Sequence, residues 1–267
     1  MKIGVMPSSL KLPFKEAVIF ARDLGAKGIQ PYVTGSDLSP ALSKEDRAAA
    51  LKYIRDNGLT VSAICVDIGS KYFKETDNTN SIDTVKKMMS MAPDLGTSIA
   101  SAHIGKIPAD PQDPEHQNAI RTIRALADHG REIGVNFAIE TGPEMASELK
   151  SIIKEADRPN IKVNLDPANF VMVAGQNPVE AVPCLADFIV HTHAKDGIKN
   201  INRQSGEPAY YELPLGQGNV PYAEYLAALR DIGYDGFLTI EREAGNDRLG
   251  DVKHAYEFLT EHLKKLY

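Results

Sequence analysis

The chain has 267 residues, 43% of them hydrophobic and 25% charged, with a formal net charge of −6. That length and balance suit one large α/β unit with a self-sufficient core, and the acidic excess argues against a nucleic-acid partner, whose phosphate backbone requires a basic face. Two cysteines outside any CxxC pair, Cys65 and Cys184, read as buried thiols of a reducing compartment, and MKIGVMPSSLKLPF lacks the apolar centre of a signal peptide, so a cytoplasmic protein with no membrane partner is expected.

Strand-like runs fall at 2–7, 28–33, 59–66, 98–104, 136–141, 161–166, 187–194 and 236–242. Amphipathic helical stretches alternate with them near 13–25, 43–57, 80–95, 115–133, 145–156, 178–185, 221–232 and 247–265. Ser43 opens the second helix as a cap, with Asp46 three residues on in place of the usual Glu. Gly25, Gly58, Gly96, Gly134 and Gly233 follow helices where the left-handed end position favours glycine. Eight β runs alternating with eight helices predict a (β/α)8 TIM barrel, one domain over 1–267. The exception to the regular period is 195–220, rich in Gly, Pro, Asn and Tyr. It reads as a long loop over the C-terminal mouth that covers substrate.

Four of the apolar runs end in a residue that binds metals: FAIE at Glu140, VNLD at Asp166, FIVHTH at His193 and FLTIE at Glu241. In a parallel barrel all four side chains emerge at one rim. A carboxylate closing an apolar run is costly to bury unless it is paired or bound. One His with three carboxylates is a hard-to-borderline set, and it points to one divalent cation, Mn2+ first, with Co2+, Mg2+ or Zn2+ as alternatives. His191 lies two residues before His193 and shares its face one layer deeper, where a core histidine is the plain reading. Glu243 lies beyond its run and reads as structural. His103, at the end of SIASAHI, is a further rim residue for substrate. So are Lys195 and Asp196, which lead into the long loop, Asn169, which follows the Asp-Pro turn, and Arg203 within the loop, with Tyr211 beside it. EAGNDRLG at 243–250 offers amides and Arg248 for a phosphate.

In combination and in order, AHIG at 102–105, AIE at 138–140, NLDPAN at 164–169, HTHAKD at 191–196, LGQGNV at 215–220 and GFLTIERE at 236–243 resemble the xylose isomerase-like barrel superfamily, in its sugar phosphate isomerase/epimerase branch. The resemblance spans nearly the whole chain. It implies that Glu140, Asp166, His193 and Glu241 hold the catalytic metal and that Glu140 and Glu241 also move protons on opposite faces of a bound ketose. The implied activity is isomerisation or epimerisation of a sugar or sugar phosphate, by proton abstraction alpha to a carbonyl through a metal-stabilised enediolate. A dehydratase or lyase on a keto-sugar or inosose would use the same residues. A non-catalytic sugar-binding barrel is disfavoured because both glutamates are present. An endonuclease IV type of repair enzyme fits poorly, since Asn169, Tyr210 and Glu212 stand where that family places further ligands. Gln217 departs from the LGEG usual in the branch. A homo-oligomer is compatible with the sequence.

Overall fold

A computed structural model describes residues 1–35, 37–69 and 78–266. Its strands are β1 (Lys2–Val5), β2 (Gly28–Ile29), β3 (Thr60–Val61), β4 (Ile64–Cys65), β5 (Ile99–His103), β6 (Asn136–Glu140), β7 (Ile161–Leu165), β8 (Ile189–Ala194) and β11 (Phe237–Ile240), with β9 (Asp196–Lys199) and β10 (Tyr210–Leu213) as a separate pair. The nine main strands form one parallel sheet in the order β3-β2-β1-β11-β8-β7-β6-β5-β4. This is a nearly closed TIM barrel.

Nine strands fill eight positions because the run expected at 59–66 is broken at Ser62 and Ala63. Thr60 and Val61 pair with β2, whereas Ile64 and Cys65 pair with β5. The same segment therefore joins the two ends of the sheet, and a parallel bridge from Tyr32 to Cys65 narrows the remaining gap.

The helices lie on the outside, with ends set by local chemistry. Ser43 Oγ accepts the Asp46 amide at 3.1 Å and caps Lys44–Asp56. Gly25, Gly58, Gly96, Gly134 and Gly233 all take positive φ, which costs glycine nothing. The apolar core is the layer between sheet and helices. Ala17, Val18 and Ala21 of Phe14–Leu24 and Ile123, Leu126 and Ala127 of Pro114–Glu132 are buried there. No helix among the described residues is long and apolar enough to cross a membrane. Both cysteines are free; Cys65 is buried, but Cys184 is only partly so, because it ends the short helix Pro178–Cys184 at the surface.

The segment 195–220 differs from the loop expected of it. β9 and β10 pair antiparallel, from Asp196 with Leu213 to Lys199 with Tyr210. Two four-residue strands are too short to show an alternating pattern against a Gly- and Pro-rich background. The hairpin stem sits on the C-terminal rim: Glu212 Oε1 accepts Arg242 Nη1 at 2.7 Å and the amides of Glu243 and Ala244.

At the opposite end the Phe237 ring fills the barrel floor. A Cβ on Gly28 would lie 2.7 Å from that ring and 3.0 Å from the Thr60 carbonyl. Gly28→Ala should therefore destabilise the fold by about 1–3 kcal/mol through overpacking. Denaturant unfolding checks this; an unchanged midpoint would mean that the floor is loosely packed.

Candidate metal centre

The barrel interior is polar in two layers. In the deeper layer Asn164 donates to Ser101 Oγ at 3.1 Å and to Glu140 Oε2 at 3.3 Å. Its Oδ1 must then accept from His191 Nδ1, 2.9 Å away. That fixes the His191 tautomer, leaving Nε2 to accept from the Thr239 hydroxyl at 3.0 Å, with Ser62 Oγ at 3.1 Å. Burial holds the His191 pKa well below its usual value, so the ring is neutral. His191 is thus a hydrogen-bonded support one layer below the rim.

The upper layer brings Glu140, Asp166, His193 and Glu241 together, with one ligand atom from each inside a span of 4.8 Å, all four buried. His193 Nδ1 lies 3.1 Å from Glu140 Oε1, 3.2 Å from Glu241 Oε2 and 3.9 Å from Asp166 Oδ2. Its Nε2 is 2.9 Å from Gln30 Oε1. Gln30 Oε1 therefore accepts a hydrogen bond from the Nε2–H and orients Nδ1 towards the centre.

Asp166 divides its carboxylate between two tasks. Oδ1 caps the following turn by accepting the Ala168 and Asn169 amides at 2.8 and 3.3 Å, with Pro167 at the first helical position, where no amide is needed. Oδ2 is left for the centre. The Thr141 hydroxyl bonds the Asp166 backbone, and Asn169 Nδ2 donates to the Thr141 carbonyl at 2.8 Å, locking the β6 and β7 ends together.

Three buried atoms here complete no hydrogen bond: Glu140 Oε1, Asp166 Oδ2 and His193 Nδ1. They are the atoms that face one another. Buried polar groups ordinarily find a partner, so the donor set fits a cation with ligands at ~2.0–2.3 Å. The electrostatics agree. Burial raises Asp166 to about 7, reinforced by Glu241 and Glu140 and opposed by Lys195. Burial also pushes Glu241 up, but Lys195 and His193 outweigh it and hold that carboxylate low. His193 is raised well above its usual range, Glu140 and Glu241 overcoming burial. The cluster recruits positive charge from its own side chains.

The remaining expected residues divide. Lys195 is buried and donates to Glu241 Oε2 at 3.0 Å, and it also pairs with Glu243. His103 Nε2 lies 3.4 Å from Glu140 Oε1, and its Nδ1 lies 2.8 Å from Asp67 Oδ2. Glu140 first, then Asp67, raise the His103 pKa to about 10 against burial. Asp196 is spent elsewhere. Its oxygens accept the amides of Gly197, Gly216, Gly218 and Val220, so it holds the LGQGN turn rather than a ligand. Arg203 is exposed in the hairpin tip and does not join the cluster. Arg248 gives its guanidinium to the carbonyls of Gly245, Arg242 and Glu243, so it is not poised for a phosphate. Sequence reading missed Gln30, Asp67 and Tyr32. A polar residue closing an apolar run, as Gln30 does in GIQ, was the available signal.

Cation binding requires Asp166 ionised and His193 neutral, so both must shed protons. Affinity for Mg2+ or Mn2+ should therefore rise with pH, by about tenfold per unit for each proton released, most steeply below about pH 7, where Asp166 is still protonated, and less steeply above it. Gln30→Leu should cost ~10–100-fold in affinity by freeing the His193 tautomer. Calorimetric titration at pH 6 and pH 8 measures both; pH-independent affinity would contradict the ligand set.

The fold has counterparts. A solved xylose isomerase domain protein of Planctomyces limnophilus matches with a TM-score of 0.86 and 26% identity, covering 99% of this chain and 97% of that one. The 3-dehydroshikimate dehydratase of Bacillus anthracis is 25% identical over 248 residues, 86% of this chain and 85% of the relative. Fructoselysine 3-epimerase of Escherichia coli O157:H7 is 25% identical over 266 residues, 90% of each. The family description of a xylose isomerase-like TIM barrel matches residues 18–262. With that span matched and a parallel barrel carrying its buried acidic centre at the C-terminal rim, the chain belongs to the xylose isomerase-like TIM barrel family.

Proposed function

We propose that the protein is a divalent-metal-dependent isomerase or epimerase of a keto-sugar, working by proton transfer at the carbon alpha to the carbonyl. One observation carries the reading. Glu140 and Glu241 reach the same point from β6 and from the end of β11, on either side of His193, and each is backed by its own cationic partner. His103 stands beside Glu140, and Lys195 beside Glu241. Two carboxylates approaching from opposite walls are what inversion at carbon requires, one removing the proton and the other returning one to the opposite face.

A cation held by Glu140, Asp166, His193 and Glu241 would supply Lewis-acid polarisation of the substrate oxygens; this oxygen-rich set suits Mg2+ or Mn2+. The chain's own groups do the rest. Glu140 and Glu241 are the proton carriers. Lys195 offers an N–H to a developing oxyanion, and Asp67 orients His103 to do the same on the other side. The likeness to fructoselysine 3-epimerase supports this assignment. A second reading keeps the same proton abstraction and ends in loss of a beta leaving group. It is favoured by the dehydratase relative and by Lys195, a buried acid positioned next to one of the two bases.

Solvent-deuterium exchange alpha to the carbonyl, followed by NMR with Mg2+ or Mn2+ present, tests the class on a panel of ketoses and keto-sugars. Chelation should abolish exchange, and either cation should restore it. Glu140→Gln and Glu241→Gln should each lower kcat by ~10²–10⁴-fold. Near wild-type rates in both variants, with metal bound, would remove the two glutamates from the mechanism.

A further inference from the structure

We infer that the substrate carries an apolar or aromatic substituent, seated in a recess beside the metal centre between the loops after β1 and β2; this rests on the keto-sugar reading above. The recess has a volume of about 140 Å3 and is walled by Pro7, Leu12, Phe14, Pro31, Tyr32 and Leu38. Next to it a second cavity of about 210 Å3 opens on Glu241, with Arg242 and Glu243 around it. Ser8 and Tyr32 wall both spaces, so the two lie side by side. Tyr32 also lies within electrostatic reach of the centre. Its phenol is pushed up first by Cys65 and by burial, then by Glu241 and Glu140.

The chemistry of the walls selects the occupant. Among the described residues no lysine or arginine lines the recess, and Asp37 does, so a phosphate would meet repulsion there. A bare sugar would leave most of its hydroxyls facing Leu, Phe and Pro without partners, which is unfavourable. An apolar cavity of ~150 Å3 accommodates a benzene-sized group, and Phe14 and Tyr32 offer rings against which an aromatic group packs. The reactive end of the ligand is thus held at Glu140 and Glu241, and the substituent extends past Tyr32.

The test uses the protein supplied with Mg2+ and two probes, methyl and phenyl 3-keto-β-D-glucopyranoside. The phenyl probe should show at least a tenfold higher kcat/KM for deuterium exchange, expressed in KM, and Phe14→Ala should remove most of that preference while Phe14→Tyr keeps it. Equal kcat/KM for the two probes overturns the recess and leaves the proton chemistry standing. If neither probe exchanges, 3-keto-glucosides are not substrates, the keto-sugar reading is left to the wider panel, and the recess is decided by binding alone. Phenyl β-D-glucopyranoside, which has no carbonyl, should still bind at least tenfold tighter than its methyl counterpart in the wild type but not in Phe14→Ala; equal affinities overturn it.

Discussion

Three carboxylates and an imidazole, buried within a few ångströms of one another, are the constraint to which the rest of this barrel answers. Removing ionised carboxylates from water costs several kcal/mol each unless charge returns to them. Within the chain His193 and Lys195 return some of it, which is why both are held protonated, whereas burial, against their pull, still pushes Asp166 towards neutrality. The compensation is incomplete, since Glu140 Oε1 and Asp166 Oδ2 still complete no hydrogen bond. A cation held among these atoms would answer that deficit.

Holding such a cluster requires an unusual interior. TIM barrels commonly fill their lumen with branched apolar side chains. Here Ser62, Ser101, Asn164, His191 and Thr239 form a hydrogen-bonded floor beneath the centre. Asn164 links the layers by touching Ser101, His191, Glu140 and His193. Its geometry sets the His191 tautomer, and Gln30 sets that of His193. The apolar stabilisation lies instead between sheet and helices, so the lumen can be given over to polar order without emptying the core. Satisfied bonds of this kind rigidify a site, whereas an unmet donor is costly, and Gln30 Nε2 is a buried donor that completes no hydrogen bond.

Most of the barrel was legible in the sequence because its signals are local. Periodicity of apolar residues, glycines at helix ends and the Ser43 cap each act within a few residues, and seven of the eight expected helices fall within a residue or two of their bounds, while the stretch at 80–95 is split at Ser90 into Thr79–Met89 and Met91–Asp94. The four rim residues were legible because a chargeable group at the end of a β-branched run has few harmless explanations. What was not legible depends on contacts far along the chain. The break at Ser62 and Ala63 arises from closing the sheet between β2 and β5, which no local pattern encodes. Asp196 resembles a substrate residue until the turn at 216–220 folds back and takes its oxygens. Gln30 becomes a partner of His193 only across 163 positions.

The insertion shows how such distant contacts bear on the centre. Asp196 binds four amides of its own segment, and a Cβ at Gly218 would lie 2.1 Å from Asp196 Oδ1, so that turn admits only glycine. The Tyr222 hydroxyl donates to the Lys195 carbonyl at 2.9 Å. Glu212, from the returning strand, bonds Arg242 and the backbone just past Glu241. Lys195 is therefore clamped on both sides, and its ammonium has Glu241, Glu243 and Glu212 within reach. A lysine ammonium on a flexible four-carbon stem orders itself only at an entropic cost. The hairpin meets that cost in advance, through backbone bonds that owe nothing to substrate. The exposed tip that carries Arg203 can thus vary in sequence while the stem keeps one cation fixed against one of the two glutamates.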